Sequence, residues 1–234
     1  MMEIWEQAMT GFAVDPHKRS NETKRTYDWL AANKYDGDSD VKMVWVDVET
    51  TGLDPRTDEL LEVAVVLTDE RGKIIDSLET IIAPSAFPDI DRLRDTVPGV
   101  IRDMHDKSYL WHDLRSCDPA SWGLDEATRE LRHFFNKHIY RKPKLPLAGS
   151  TVSFDRSFLS LYFPELIAQY FNHRHIDVST LIEIARITDP NFETWHAELK
   201  SEHWRMHRAL PDICDSIKTY QSFLDQYTDL SLGF

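Results

Sequence analysis

Between residues 42 and 84 the apolar residues follow strand-like patterns. KMVWVDVE (42–49) alternates, with Val44, Val46 and Val48 on one side and Trp45, Asp47 and Glu49 on the other, because successive strand side chains point to opposite faces. LLEVAVVLTD (60–69) and GKIIDSLETIIAP (72–84) predict two more strands, joined by a hairpin turn at Glu70, Arg71 and Gly72. Three consecutive strands imply an antiparallel start to a sheet. Helical spacing takes over in LDEATRELRHFFNKH (124–138). It is followed by strand-like LPLAGST (145–151), a helix near 154–163 stopped by Pro164, the short HRHIDVSTL (173–181) and a long final helix. In that last element Leu210, Ile213, Ile217, Tyr220, Leu224 and Tyr227 form one apolar stripe at three- and four-residue steps. Pro211 lacks an N–H and is tolerated only in a first turn, so the helix begins beside it and His207 belongs to the loop before. Strands followed by alternating helices and strands predict an α/β fold, a mixed sheet flanked by helices.

Residues 1–40 differ in character. They are polar, with a helical-looking start, a second helix over NETKRTYDWLAANKY (21–35) and the turn-like DGDSD (36–40). This segment is read as an N-terminal helical extension, and 41–234 as the domain proper. No internal repeat or low-complexity run interrupts the chain.

Composition narrows the classes. With 41% hydrophobic and 29% charged residues the 234-residue chain has the balance of an ordinary globular protein. No apolar run approaches membrane-spanning length, and the acids in the first residues do not suit a targeting peptide, so a cytoplasmic location without a membrane partner is expected. Cys117 and Cys214 lack CxxC spacing and are expected to be free thiols. The net charge of −13 opposes tight, non-specific binding of long polyanions but not an enzyme that holds cations and handles a short nucleic acid. The basic cluster NKHIYRKPK (136–144) reads as a solvated connection before a strand.

Against this background the acids raise the main question. Asp47 and Glu49 share one face of a strand just before it turns; either the strand ends at Asp47 and leaves Glu49 in solvent, or both carboxylates are aimed at something. Asp155 shares a helical face with Phe158, Leu159 and Tyr162, which directs it inward, while an N-cap role competes, with Ser153 as the alternative cap. Asp212 falls in the opening turn of the last helix, where the helix dipole alone favours an acid. Gathered together, such carboxylates repel unless they hold cations or take up protons. An all-oxygen donor set suits Mg²⁺ or Mn²⁺. Paired ions about 3.5–4 Å apart stabilise the attacking and leaving oxygens of a phosphoryl displacement. A loop histidine, whose side chain ordinarily titrates near neutrality, suits proton abstraction from water. A zinc site on His203 and His207 of HWRMH lacks the glutamate of H-E-x-x-H, and Pro211 opposes a continuous helix there.

DVETTGLDP with Asp47 and Glu49, FDRSFL with Asp155 and HRALPD with His207 and Asp212 resemble the three motifs of the DEDD exonucleases, in the subclass whose histidine stands five residues before the last aspartate. PLAGSTVSFDRSFLSLYFPELIAQYFNHRHIDVSTLIEIAR is similar to the oligoribonuclease branch, and the resemblance runs from about Lys42 to Tyr227. It implies a ribonuclease H-like fold, a homodimer, two divalent cations (Mg²⁺ or Mn²⁺), and stepwise 3′→5′ release of nucleoside 5′-monophosphates from very short single-stranded RNA. Carried over, it makes Asp47, Glu49, Asp155 and Asp212 the metal ligands and His207 the general base. It places Thr51 and Leu53 at the substrate, with Leu53 wedged against the terminal bases. Thr151, Arg174, Ser179 and Thr180 would cap a 5′ phosphate, although Ser179 and Thr180 also suit a helix cap. His173 stands where the family has a tyrosine that stacks on a base across the dimer. Thr50 replaces that branch's methionine and yields the ETTGL of proofreading exonucleases, so a DNA-directed 3′→5′ exonuclease is the alternative.

Overall fold

The computed structural model describes residues 21–34, 40–84, 89–202 and 207–227. Helix α1 (Asn21–Ala32) precedes strands β1 (Met43–Thr50), β2 (Leu60–Thr68) and β3 (Ile74–Ile81). Helices α2 (Ile90–Thr96), α3 (Gly99–Lys107), α4 (Leu110–Arg115), α5 (Pro119–Trp122) and α6 (Leu124–Ile139) then lead to β4 (Leu145–Gly149). The chain continues through α7 (Ser153–Tyr162), α8 (Pro164–Tyr170), β5 (Phe171–Asp177), α9 (Val178–Thr188), α10 (Phe192–Glu202) and α11 (Ala209–Tyr227).

The strands form one sheet in the order β3-β2-β1-β4-β5; β1, β2 and β3 are antiparallel neighbours, while β4 and β5 join in parallel. This is the ribonuclease H-like mixed sheet implied above. The alternation in β1 sorts its side chains as expected. Val44, Val46 and Val48 pack with Leu131 and Phe135 of α6 and Phe158 of α7, whereas Met43 and Trp45 pack with Leu210, Ile213 and Ile217 of α11. Helices thus cover both faces, which explains why all nine residues of β2 are buried.

The helix caps differ from the expectations, while the proline-set helix ends agree with them. Ser153 is not the cap of α7 but its first residue; Val152 precedes it without a side-chain cap bond, and Asp155 lies buried in the first turn. Pro164 ends α7 and also opens α8, a position where its missing N–H costs nothing. The cap of α9 is Asp177, which accepts from the Ser179 N–H at 2.9 Å, so Ser179 and Thr180 lie inside the helix. Helix α11 starts at Ala209, with Pro211 and Asp212 in its first turn and His207 outside it. Its stripe is buried at Leu210, Ile213 and Ile217, and Tyr220 meets the Trp45 ring edge-on at 5.5 Å.

Helix α1 is built into the same face as α11: Leu30 joins the Trp45–Ile213 cluster, and the Ile74 N–H donates to Asn33 O at 3.2 Å. The helical start before residue 21, most of the DGDSD turn and residues 203–206 of HWRMH lie outside the described residues. Cys117 and Cys214 are both free.

Candidate active site

The site grows from the place where β1 outruns its neighbour. Strand β4 pairs with β1 only at Val44–Leu147 and Trp45–Ala148 and ends at Gly149. A Cβ at Gly149 would stand 2.8 Å from Val46 O, so only glycine lets the chain leave so close to β1. Beyond that point the Val48 N–H donates to Asp155 Oδ1 at 3.0 Å, a side chain standing in for the absent strand. On the Trp45 side of β1, Asp47 and Glu49 face the first turn of α11. One ligand oxygen each from Asp47, Glu49 and Asp212 lies within 4.8 Å of the others. These three, Asp155 and His207 line one open cleft of ≈ 400 Å³. Asp155 stands outside the tight group, its carboxylate anchored on Val48.

Burial is the main cause of an unusual electrostatic state. It lifts the Asp47 carboxyl well above its ordinary range, with Asp155, Asp212 and Glu49 adding like charge. Glu49 is raised in the same way, by burial and then by Asp212 and Glu62. Asp155 is pushed up to about 7 by burial, and Asp212 to about 8 by burial, Asp215 and Glu62. Such carboxylates are relieved either by taking up protons or by holding a cation. The buried guanidinium of Arg208 is committed to Glu62 and Asp113, so it leaves the oxygens of Asp47, Glu49 and Asp212 to other partners. The donor set is hard and all-oxygen, which fits a divalent cation.

Three residues of this neighbourhood escape sequence reasoning. Glu62, 0% exposed, stands opposite Glu49 in the β1–β2 register. A signal for it exists: it is the one acid inside the otherwise apolar run of β2. Arg208 neutralises it, with Nη2 2.6 Å from Oε1. His105 on α3 is fully buried against Trp111, with Nε2 2.9 Å from Thr50 O and Nδ1 3.7 Å from Glu49 Oε2. Because a carbonyl only accepts, Nε2 carries the proton and a neutral ring turns a lone pair toward Glu49. Burial favours that neutral ring by lowering its pKa. Nothing in GVIRDMHDK marks His105 beforehand.

The expected substrate residues distribute around the cleft unevenly. Leu53 stands 80% exposed among the residues lining it. Thr51 is buried instead, its hydroxyl accepting the Glu59 N–H at 2.8 Å, so its side chain closes the loop that carries Leu53. Thr151 lines the cleft with a φ of 56°. Its N–H donates to Asp177 Oδ1 and to Ser179 Oγ, each at 3.0 Å, and its hydroxyl lies 3.1 Å from Ser179 Oγ. His173 and Arg174 are exposed on β5 and Thr180 is exposed on α9. Among the described residues no hydrogen bond joins the Arg174 guanidinium to Thr151 or Ser179, so the structure gathers Thr151 with Ser179 but does not bring Arg174 to them.

A mixed sheet in this order, with carboxylates converging where its central strand ends, defines an exonuclease-class site, and the family model described as an exonuclease (RNase_T) matches residues 44–110. Curated relatives narrow the class. The oligoribonuclease of Leifsonia xyli subsp. xyli is 36% identical over 76% of this chain and 79% of its own length. That of Halorhodospira halophila is 34% identical over 82% and 97%, and a probable oligoribonuclease of Dictyostelium discoideum 34% over 78% and 88%. The chain belongs to the oligoribonuclease family. Among solved structures, S. pombe Pop2p in its Mg²⁺- and Mn²⁺-bound form shares the fold at a TM-score of 0.57 and 12% identity, over 91% of this chain and 92% of that one. The zinc-bound E. coli exonuclease I–single-stranded DNA complex gives a TM-score of 0.55 at 16% identity over 82% of this chain, which spans only 42% of that protein.

Proposed function

We propose that this protein is a metal-dependent 3′→5′ exoribonuclease that removes nucleoside 5′-monophosphates from short oligoribonucleotides. The observation that carries the reading is the convergence of Asp47, Glu49 and Asp212 within 4.8 Å, in the cleft that Asp155 and His207 also line. Asp47, Glu49, Asp155 and Asp212 would hold two Mg²⁺ or Mn²⁺ ions. Bound there, such ions supply charge stabilisation for the attacking and leaving oxygens of the scissile phosphodiester. His207, beside the acids but outside their tight group, accepts a proton from the attacking water. Leu53 presses its exposed apolar side chain on the terminal base and thereby sets which phosphodiester lies over the acids. The Thr151 and Ser179 hydroxyls offer donors to a terminal phosphate.

The acidic balance of −13 supports short substrates, since an extended polyanion gains little from such a surface. Strand β5 is one of the two outer strands of the sheet, and its exposed His173 and Arg174, with exposed Ile184 and Ile187 on the next helix, support a homodimer through that edge. Among the described residues no helix is long and apolar enough to cross a membrane, which accords with a cytoplasmic place of action.

A substrate-length series tests the reading. With purified protein and Mn²⁺, kcat/KM is expected to be highest for RNA dinucleotides and to fall as the oligomer lengthens, with matched DNA poorer throughout. Poor dinucleotide cleavage beside rapid trimming of long DNA would favour the proofreading type instead.

Metal dependence of stability gives a second check. Asp155 and Asp212 sit at about 7 and about 8 when folded, against about 4 unfolded, so their stabilising contribution is complete below about pH 4 and is lost as pH rises toward 8. Added Mn²⁺ is therefore expected to raise Tm strongly at pH 8 and weakly at pH 5, where protons already compensate the cluster. Glu62 and Asp76 are shifted downward and so stay ionised at both pH 5 and pH 8, and the difference in Tm between Mn²⁺ and chelator therefore reports the raised carboxylates. A metal-induced shift no larger at pH 8 than at pH 5 counts against carboxylates as the binding groups.

A further inference from the structure

His207 reaches α11 through a strained link. Its φ of 49° lies in the left-handed region, which a non-glycine residue keeps only where its surroundings over-determine it. The next residue supplies that restraint. Arg208 turns inward, its Nε donating to both oxygens of Glu62 at 3.0 Å and its Nη2 to Oε1 at 2.6 Å. Nη1 reaches Asp113 Oδ2 on α4 at 2.8 Å. Glu62 also accepts the N–H of Ala209, the first residue of α11, at 3.1 Å. One fully buried carboxylate on β2 thus holds both residues that follow His207, and it stands directly opposite Glu49.

This arrangement solves two problems together. Like charges at opposed positions of an antiparallel pair repel, and the guanidinium offsets the charge of Glu62 beside the acids of the cleft. Its planar fork also fixes direction, which a point charge does not. The register that places Glu49 at the cleft therefore also places the anchor of the histidine link.

We propose that Arg208, held by Glu62 and Asp113, is the positioning residue for His207, fixing the imidazole over the cleft relative to Glu49 and Asp212. The inference rests on the exonuclease reading above and deepens it. Loss of the fork frees the backbone at 208–209, and displacement of a reacting group by about 1 Å costs on the order of 10²-fold in rate.

Kinetics on an RNA dinucleotide with Mn²⁺ test this by a double-mutant cycle. Arg208→Gln and Arg208→Lys are each expected to lower kcat about 10²-fold with KM changed less than about threefold. In a His207→Ala background, Arg208→Lys, which keeps the charge beside Glu62, causes no further fall, and Arg208→Gln causes a fall at least tenfold smaller than in wild type, because the group it positions is gone. Equal losses in both backgrounds, or a wild-type kcat in Arg208→Lys, overturn the proposal. Should Arg208→Gln fail to fold, Asp113→Asn removes only the outer anchor and is expected to cost about tenfold in kcat, again only when His207 is present. A wild-type protein inactive on every RNA would strike at the exonuclease reading instead. The clamp is then judged by ¹⁵N-histidine NMR of the whole chain: a single sharp His207 ring signal that broadens or splits in Arg208→Gln supports it, and an unchanged signal overturns it.

Discussion

Asp212→Asn is expected to lower kcat on an RNA dinucleotide by about 10³-fold or more while stabilising the metal-free protein at pH 8. The loss follows from geometry. Asp212 supplies one of three oxygens that converge within 4.8 Å, and an amide in its place removes the negative charge that a cation needs there. The gain in stability follows from the same burial that makes the site useful. The folded carboxyl stands at about 8, lifted by burial and by the charges of Asp215 and Glu62, against about 4 unfolded. Below about pH 4 the acid is protonated in both states and costs nothing. As pH rises toward 8 the unfolded chain ionises first, so the native state loses stability that the neutral asparagine never forfeits. The expected result is a Tm in chelator above wild type at pH 8 and close to it at pH 4. Activity falling while Tm rises is not the signature of a misfolded variant. A variant with full activity would remove Asp212 from the metal set.

His207→Ala is the second large effect, and it separates proton transfer from cation binding. Deleting a general base costs about 10²- to 10⁴-fold in kcat. Tm and its increase on adding Mn²⁺ should stay close to wild type, because His207 lies outside the tight carboxylate group and outside α11. The residual rate should climb with hydroxide concentration, since no side chain then takes the proton from water. Loss of the Mn²⁺-induced Tm shift in this variant would instead make the imidazole a ligand. Substrate KM should also hold, as Leu53, Thr151 and Ser179 are untouched. The contrast with Asp212→Asn, which is expected to lose both kcat and the metal response, assigns the two roles independently.

Much of this was legible because period and breaker residues act locally. Alternation in KMVWVDVE places Asp47 and Glu49 on one face whatever the rest of the chain does, and the rigid ring of Pro211 sets the start of α11, leaving His207 outside. Helical periodicity likewise turns Asp155 inward. Motif order and spacing then make these acids resemble one family's set before any contact is known.

Other features depend on chain segments far apart and leave no local trace. That Asp155 caps the Val48 N–H follows from β4 ending early, and that Ser153 opens α7 without capping it depends on the turn at Thr151 held by Asp177. His105 becomes a neighbour of Glu49 only when α3 folds back over the sheet, and Arg208 finds Glu62 across 146 residues of chain. By itself the sequence determined which side chains can ionise and which way each element turns them, because backbone sterics and side-chain periodicity act over a few residues. Only the tertiary structure decided how near those charges come, which of them are neutralised by a buried cation and how far burial moves their protons. Electrostatic energy depends on distance and surroundings, and both are set by packing between elements that lie far apart along the chain.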